Sequence, residues 1–341
     1  MISRRLLLAA TLSPLPPGGA NAPVELTHAQ PCMGTMFRVA IWARDEDAGY
    51  RAIHSAFARA DELDAKLSDY KPQSELSALM REGFAKPFPV SEDLFRVMEA
   101  AQRLAEETDG LFDISIGPLS RLWRECRNSG RLPTPDILRE ARSRVGYRHI
   151  ALDRETRCIR LARAGMQLDL GGIAKGFAAD TMRAVLANAG FPASMAASGG
   201  DIAVGEAPPR TSGWVVELDP GEEFPGAKAL LSLRSRAVST SGAHRQHFTI
   251  DGVTYSHIID PRTGLGLTRQ TAVSVVAPTA TQTDALATTA SLMEPSAAVA
   301  FLSKHAGVSG RVFLPPAGEG RMAETQSTGG FANYLAHAGS R

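Results

Sequence analysis

Cysteine is scarce in this chain of 341 residues. Cys32, Cys126 and Cys158 are three in number, far apart and without a C-x-x-C pair. That spacing suggests neither a disulfide framework nor a zinc site, and at most one disulfide could form. The cysteines read instead as small buried hydrophobes. Net charge is nearly absent too, since 37 Lys and Arg against 36 Asp and Glu leave +1. No global field would attract nucleic acid or an anionic membrane, so no nucleic-acid partner is expected and an anionic ligand must be held locally. No apolar run reaches the ~20 residues of a spanning helix, and no short repeat marks a solenoid. Aromatics make up only 6%. What is present is a globular balance, 44% hydrophobic and 21% charged, with 31 Gly and 21 Pro that forecast many turns and backbone-lined loops.

The first residues stand apart. Arg4 and Arg5 precede an apolar run over 6–12, then Pro and Gly, then the small residues Ala20, Asn21 and Ala22. This is the layout of a cleavable export signal, with a weak twin-arginine character. Residues 1–22 are expected to be a leader and 23–341 one folded domain, exported and periplasmic or associated with the inner membrane.

Along the mature chain, a strand is expected over 37–42, then a helix over 48–67 with Ile53, Phe57, Ala60, Leu63 and Leu67 on one face. Ser91 offers an N-cap to a second helix that runs to Asp109-Gly110. A hairpin is expected around Ile150 and Ile159. From Met166 the pattern reads strand over 166–170, glycine turn at Gly171-Gly172, and helix over 174–189. Strands then dominate, over 194–204, 214–218, 229–233, 238–241, 247–250 and 272–277, before helices near Thr283 and Pro295 and a last strand over 311–314. Strands in blocks favour an α+β fold with mostly antiparallel sheet and packed helices over a doubly wound one.

Three segments could carry chemistry. In Leu168-Asp-Leu-Gly-Gly-Ile-Ala-Lys-Gly176 a pair of glycines sits at a helix start with Lys175 in the first turn. Backbone N–H groups and the lysine there could hold phosphate, although a tight turn with a solvated lysine has the same wording. It is neither a P-loop nor G-x-G-x-x-G. Asp284 and Thr288 are four apart, so on a helix they share a face and could meet one hard cation such as Mg²⁺; Asp284 could equally serve a helix N-terminus. In Tyr255-Ser-His-Ile-Ile-Asp-Pro-Arg-Thr-Gly264 a strand running into an Asp-Pro turn would display His257 and Asp260, and a histidine can accept a proton near neutral pH. Asp113 and Asp201, each flanked by glycine, read by default as turn or cap residues.

The order and wording of these segments resemble the ApbE family of flavin transferases. The resemblance runs from Met33-Gly-Thr35 through Ser68-Asp-Tyr-Lys-Pro-Gln-Ser-Glu-Leu-Ser77, Phe112-Asp-Ile-Ser-Ile-Gly-Pro-Leu119, residues 168–176, 198–201 and 238–242, His257 to Gly264, and 283–288. One departure is that Ala78, Leu79 and Met80 stand where the family often has an Arg and an Asn. The resemblance implies a T-fold-like ApbE architecture and Mg²⁺-dependent transfer of FMN from FAD to a Thr or Ser hydroxyl of a partner flavoprotein, with release of AMP. It implies that Met33, Tyr70, Leu111, Phe112 and Asp113 line a flavin site and that Lys175 and His257 lie near the dinucleotide. It further implies Mg²⁺ held by Asp284, Thr288 and a backbone carbonyl near Gly172. Family acceptors are respiratory or periplasmic flavoproteins, a membrane protein among the candidates. Such chemistry needs a base for the acceptor hydroxyl, for which His257 is the candidate, with Asp260 as its orienter or substitute. Two rival readings use the same residues: an FAD pyrophosphatase, separated by an acceptor assay, and a flavin-binding carrier, dismissed by turnover of FAD to AMP.

Overall fold

Eight antiparallel strands form one sheet whose spatial order is their order in the chain: β1 Val24–Cys32, β2 Thr35–Ala43, β3 Ser194–Ser198, β4 Asp201–Val204, β5 Arg236–Gly242, β6 Ala272–Ala277, β7 Ser309–Leu314 and β8 Glu324–Ser327. This computed structural model describes residues 22–242, 247–318 and 321–336, so the segment read as an export leader lies, up to residue 21, outside the described residues. Apart from a short 3-10 turn at Phe331–Tyr334 after β8, the other described elements are inserted between neighbouring strands. Between β2 and β3 come α1 Glu46–Leu67, α2 Glu75–Glu82, α3 Glu92–Glu107, α4 Gly117–Ser129, α5 Pro135–Ser143 and α6 Ala174–Asn188, with a small three-stranded sheet. The hairpin of Trp214–Leu218 and Ala229–Leu233 sits between β4 and β5, two short hairpins sit between β5 and β6, and α7 Ala280–Ser291 and α8 Pro295–Ser303 between β6 and β7. The α+β class with antiparallel sheet is as expected.

Both faces of the central strands are covered. Along β2, Val39 and Ile41 join the core under the helices, whereas Ala40 between them joins the core under the Trp214–Leu218 hairpin. Strand β6 repeats this with Val273 and Val275 on one side and Ala272 and Val276 on the other. Successive side chains alternate across a sheet, so a strand covered twice reads as a continuous apolar run. On the helical side, α1 buries Ile53, Phe57, Ala60, Leu63 and Leu67, and α3, capped by Ser91, buries Leu94, Val97, Met98, Ala101 and Leu104. Each such large side chain contributes about 1.5–3 kcal/mol relative to exposure.

Several expectations change. The segment 166–170 is no strand, only a single parallel bridge from Gln167 to Ile116. Its backbone is fixed by other means: Leu168 N–H donates to the Met80 sulfur at 3.0 Å, and Asp169 N–H donates to the Ile114 carbonyl at 2.8 Å. The expected strand over 194–204 is the hairpin β3–β4, because Gly199 adopts φ +66° and turns the chain back. The helix expected near Thr283 begins at Ala280, where Thr279 caps it and Asp180 of α6 accepts from the Ala280 and Thr281 amides.

Candidate active site

Helices α6 and α7 cross at glycine. A Cβ on Gly176 would stand 2.1 Å from the Ala280 carbonyl oxygen and 2.9 Å from the Asp284 Cβ, so only glycine lets the first turn of α6 rest on α7. That approach brings Asp284 Oδ2 to 3.1 Å from the Gly176 N–H, which donates to it. The N-cap residue of α6, Ile173, gives no side-chain cap, so the Asp284 carboxylate supplies an anion to this helix start from another element.

Lys175 lies on the same turn. Its ammonium is 3.3 Å from Asp284 Oδ2, 3.3 Å from Asp201 Oδ2 and 3.0 Å from the Gly171 carbonyl, to which it donates. Asp201 and Asp284 are both buried. Burial first, and the charge of Asp201 second, raise the Asp284 carboxyl above its ordinary range against the pull of Lys175. Burial works against the Lys175 charge, but the two carboxylates outweigh it and the ammonium is held firmly protonated. Two carboxylates thus share one ammonium, and the second of them can be balanced by a proton on Asp284 or by a cation.

Oxygen donors of a neutral kind stand beside these carboxylates. Thr288, one turn after Asp284, has its hydroxyl 3.3 Å from the Ser241 hydroxyl at the end of β5. Gly172 is pressed against it, since a Cβ there would be 3.3 Å from both Thr288 Oγ1 and the Phe112 ring. The structure thus brings Gly172, Lys175, Asp284, Thr288 and Phe112 together. Among the described residues, no three His, Cys, Asp or Glu side chains gather as a metal-binding set. A cation here would rest on one carboxylate with hydroxyl and carbonyl oxygens, a hard donor set that suits Mg²⁺ and leaves positions for water and phosphate. The donor chemistry, with two carboxylates sharing one ammonium, fits such an ion.

The remaining predicted residues divide. The turn holding Met33, which has φ +48°, is tied to the β3–β4 turn because Gly199 N–H donates to the Met36 carbonyl at 3.1 Å; this sets it beside the strands that carry Asp201. Leu111 packs with Ile258 and with Leu292, which follows α7, so the loop before Asp113 meets the loop that presents His257. His257 is exposed at the bend between the short strands Val253–Ser256 and Ile259–Asp260. Asp113 is turned elsewhere: its carboxylate accepts from the Ser115 amide and hydroxyl and from the Tyr147 amide. It therefore anchors the loop, in which Leu111 is half-buried and Phe112 is buried against Gly172.

Asp260 is likewise engaged by a neighbour. Burial would raise its carboxyl, but Arg262 grips both oxygens through Nε and Nη2 at 2.7–3.1 Å and donates its backbone N–H as well, so the carboxyl lies below its usual range. A carboxylate held this way is a poor proton acceptor.

Sequence reasoning missed the chemical part of Asp201, Ser241 and Arg124. The Arg124 guanidinium lies 4.2 Å over the Tyr70 ring, 2.8 Å from Asp69 Oδ2 and 3.4 Å from Asp169 Oδ2. Asp169 Oδ1 in turn accepts the Gly171 N–H at 2.8 Å. Only the glycines before Asp201 offered a signal for it, and nothing local singles out Arg124.

With this geometry in hand, comparison with known proteins gives a consistent result. A model described as the ApbE family matches residues 33–312. The FAD:protein FMN transferase of Treponema pallidum is 32% identical over 314 residues, with 87% of each chain covered. That of Vibrio cholerae is 30% identical, with 82% of this chain and 85% of that one covered. Among solved structures, a mutant of the flavin transferase ApbE from Vibrio cholerae aligns with TM-score 0.81 at 25% identity over 92% of this chain and 100% of that one. The ApbE protein of Thermotoga maritima aligns with TM-score 0.80 at 26% identity and the same coverage.

Proposed function

The chain belongs to the ApbE family, and we propose that it is a transferase that moves FMN from FAD to a Thr or Ser hydroxyl of a partner flavoprotein. The observation that carries this reading is the Lys175, Asp201 and Asp284 cluster at the glycine turn before α6, where a pyrophosphate would meet a fixed ammonium and a helix start. Mg²⁺, when held by Asp284, Thr288 and a carbonyl near Gly172, would neutralise charge on the pyrophosphate and on the departing AMP.

The chain's own groups supply the rest. Lys175, kept protonated by its carboxylate partners, is the group proposed to hold a non-bridging phosphate oxygen, in exchange for the Gly171 carbonyl to which it now donates. Leu111, Met33 and Tyr70 offer apolar surface for the isoalloxazine, and the buried Phe112 supports the turn at Gly172. His257 is the group proposed to take the proton of the acceptor hydroxyl as its oxygen bonds to the FMN phosphorus and the bond to the AMP phosphate breaks. An exported setting, with a periplasmic or membrane-bound acceptor, is proposed on the leader around Arg4 and Arg5 alone.

The test incubates the protein with FAD, Mg²⁺ and a candidate acceptor flavoprotein, and follows AMP release together with the acceptor's mass. An acceptor heavier by FMN, with the reaction stopped by a chelator and restored by Mg²⁺, is the expected result. AMP and free FMN released at the same rate without acceptor would replace this reading with a pyrophosphatase. Bound FAD that is never cleaved would replace it with a carrier.

A further inference from the structure

Tyr70 presents an unusual surface: 71% of it is exposed, yet Arg124 lies 4.2 Å from its ring centroid. A guanidinium stacked at that distance lowers the freedom of the ring while leaving its other side to solvent. The same guanidinium nitrogen, Nη2, donates to Asp69 Oδ2 at 2.8 Å and to Asp169 Oδ2 at 3.4 Å. Asp69 precedes Tyr70 in the chain, and Asp169 accepts the N–H of Gly171, whose carbonyl receives the Lys175 ammonium. One side chain on α4 therefore ties an exposed aromatic platform to the turn that carries the phosphate-binding lysine.

We propose that Arg124 is a positioning residue for the flavin end of FAD. It holds the Tyr70 ring against the isoalloxazine and fixes that ring relative to Gly171 and Lys175. The inference rests on the flavin transferase reading above. Two half-buried carboxylates, Asp69 and Asp169, share this single guanidinium, so its charge is needed for local stability whatever the ligand. Lysine can supply that charge but not the planar stack, which separates the two roles.

The test titrates FAD into the full-length protein by quenching of flavin fluorescence, with saturated FMN transfer and thermal melting measured on the same samples. Wild type, Arg124→Lys, Tyr70→Ala and the double variant are compared. Arg124→Lys is expected to melt near wild type, to weaken FAD binding about tenfold with weaker quenching, and to keep saturated transfer within a few-fold, a split that marks lost binding and not lost chemistry. Added to Tyr70→Ala it should cost little more, because both variants remove one platform. Wild-type quenching and affinity in Arg124→Lys, or losses that add fully in the double variant, would overturn the proposal. So would a loss of affinity that only follows a lower melting temperature. If the wild-type protein itself fails to bind FAD, the transferase reading falls as well, which distinguishes the two failures. Arg124→Ala is not needed for the decision, since it strands two carboxylates and is open to unfolding.

Discussion

The Lys175 ammonium and the Asp284 carboxylate meet at 3.3 Å across 109 residues of sequence, and Gly176 donates its N–H to the same carboxylate oxygen. One oxygen thus accepts from a side chain and from the adjacent backbone at a helix start. Asp284 is held by α6 before any ligand arrives, so the orientation of its second oxygen is set by the crossing of two helices. Rigid placement of this kind lets a site act on charge in a transition state without reorganising first.

Asp284→Asn is expected to lower FMN transfer by at least about 10²-fold, the usual scale for losing one electrostatic partner of a transferring phosphoryl group. The amide keeps an oxygen for the Gly176 N–H, so the fold and FAD affinity should persist. AMP release and FAD titration on the same variant check this. Unchanged turnover would remove Asp284 from the proposed ion site.

Gly176→Ala tests the crossing itself. The added methyl must push away the Ala280 carbonyl, a backbone atom at 2.1 Å that cannot move without the helix. Overpacking of this kind costs about 1–3 kcal/mol. Urea unfolding should show that loss, and transfer activity should fall with it because Asp284 moves away from Lys175. A variant as stable and active as wild type would mean that the two helices are free to separate.

Strands were legible where burial shaped the sequence: 272–277 is buried on both faces and reads as an apolar run, 214–218 buries alternate residues, and both coincide with observed strands, as does 229–233, the partner of 214–218. Strand β1 stayed hidden because it is an edge, with only Leu26 and Cys32 buried, so no alternation is imposed on it; Pro31 is tolerated there since edge N–H groups need no partner. Helix α5 was illegible for the matching reason that none of its residues is buried. At the site, the i and i+4 spacing of Asp284 and Thr288 was readable, whereas Asp201 and Ser241 join them only because β4 and β5 pair beside α7. Tertiary pairing of that kind leaves no local signature.

Acid stability gives a further prediction. Burial alone would raise the Asp93 carboxyl, but the Lys66 ammonium at 2.7 Å and the Arg59 guanidinium hold it below the ordinary aspartate value of 3.8. A folded pKa below the unfolded one means that the unfolded chain binds the proton more readily. The stabilisation is complete above pH 3.8 and is lost as pH falls through the lower folded pKa. Asp93→Asn should therefore be less stable than wild type near neutrality, with the difference shrinking under strong acid. Urea unfolding at several pH values measures it, and a difference that does not change with pH would point to packing instead of charge.

His257 is either the base or a contact for FAD, and its place in the fold makes the two separable. The side chain is exposed, while its neighbour Ile258 is anchored by Leu267 and Leu292, so a substitution at 257 leaves the supporting core intact. A neutral imidazole can accept a hydroxyl proton, and loss of a positioned general base costs ~10² to 10⁴ in rate. His257→Asn should then keep FAD affinity, lower kcat by that amount and flatten the acidic limb of the rate profile. Only the part of the limb that reports the imidazole is then lost, because the buried Asp284 carboxyl, raised above its ordinary range, still takes up a proton as the pH falls. If His257 only binds FAD, affinity falls while turnover at saturation survives. Asp260 offers no ready substitute, since Arg262 holds its carboxyl low and protonation there would require breaking the ion pair. An acidic limb that persists in His257→Asn with normal kcat would move the base to another group, and the Arg262→Gln variant would then show whether releasing Asp260 shifts that limb.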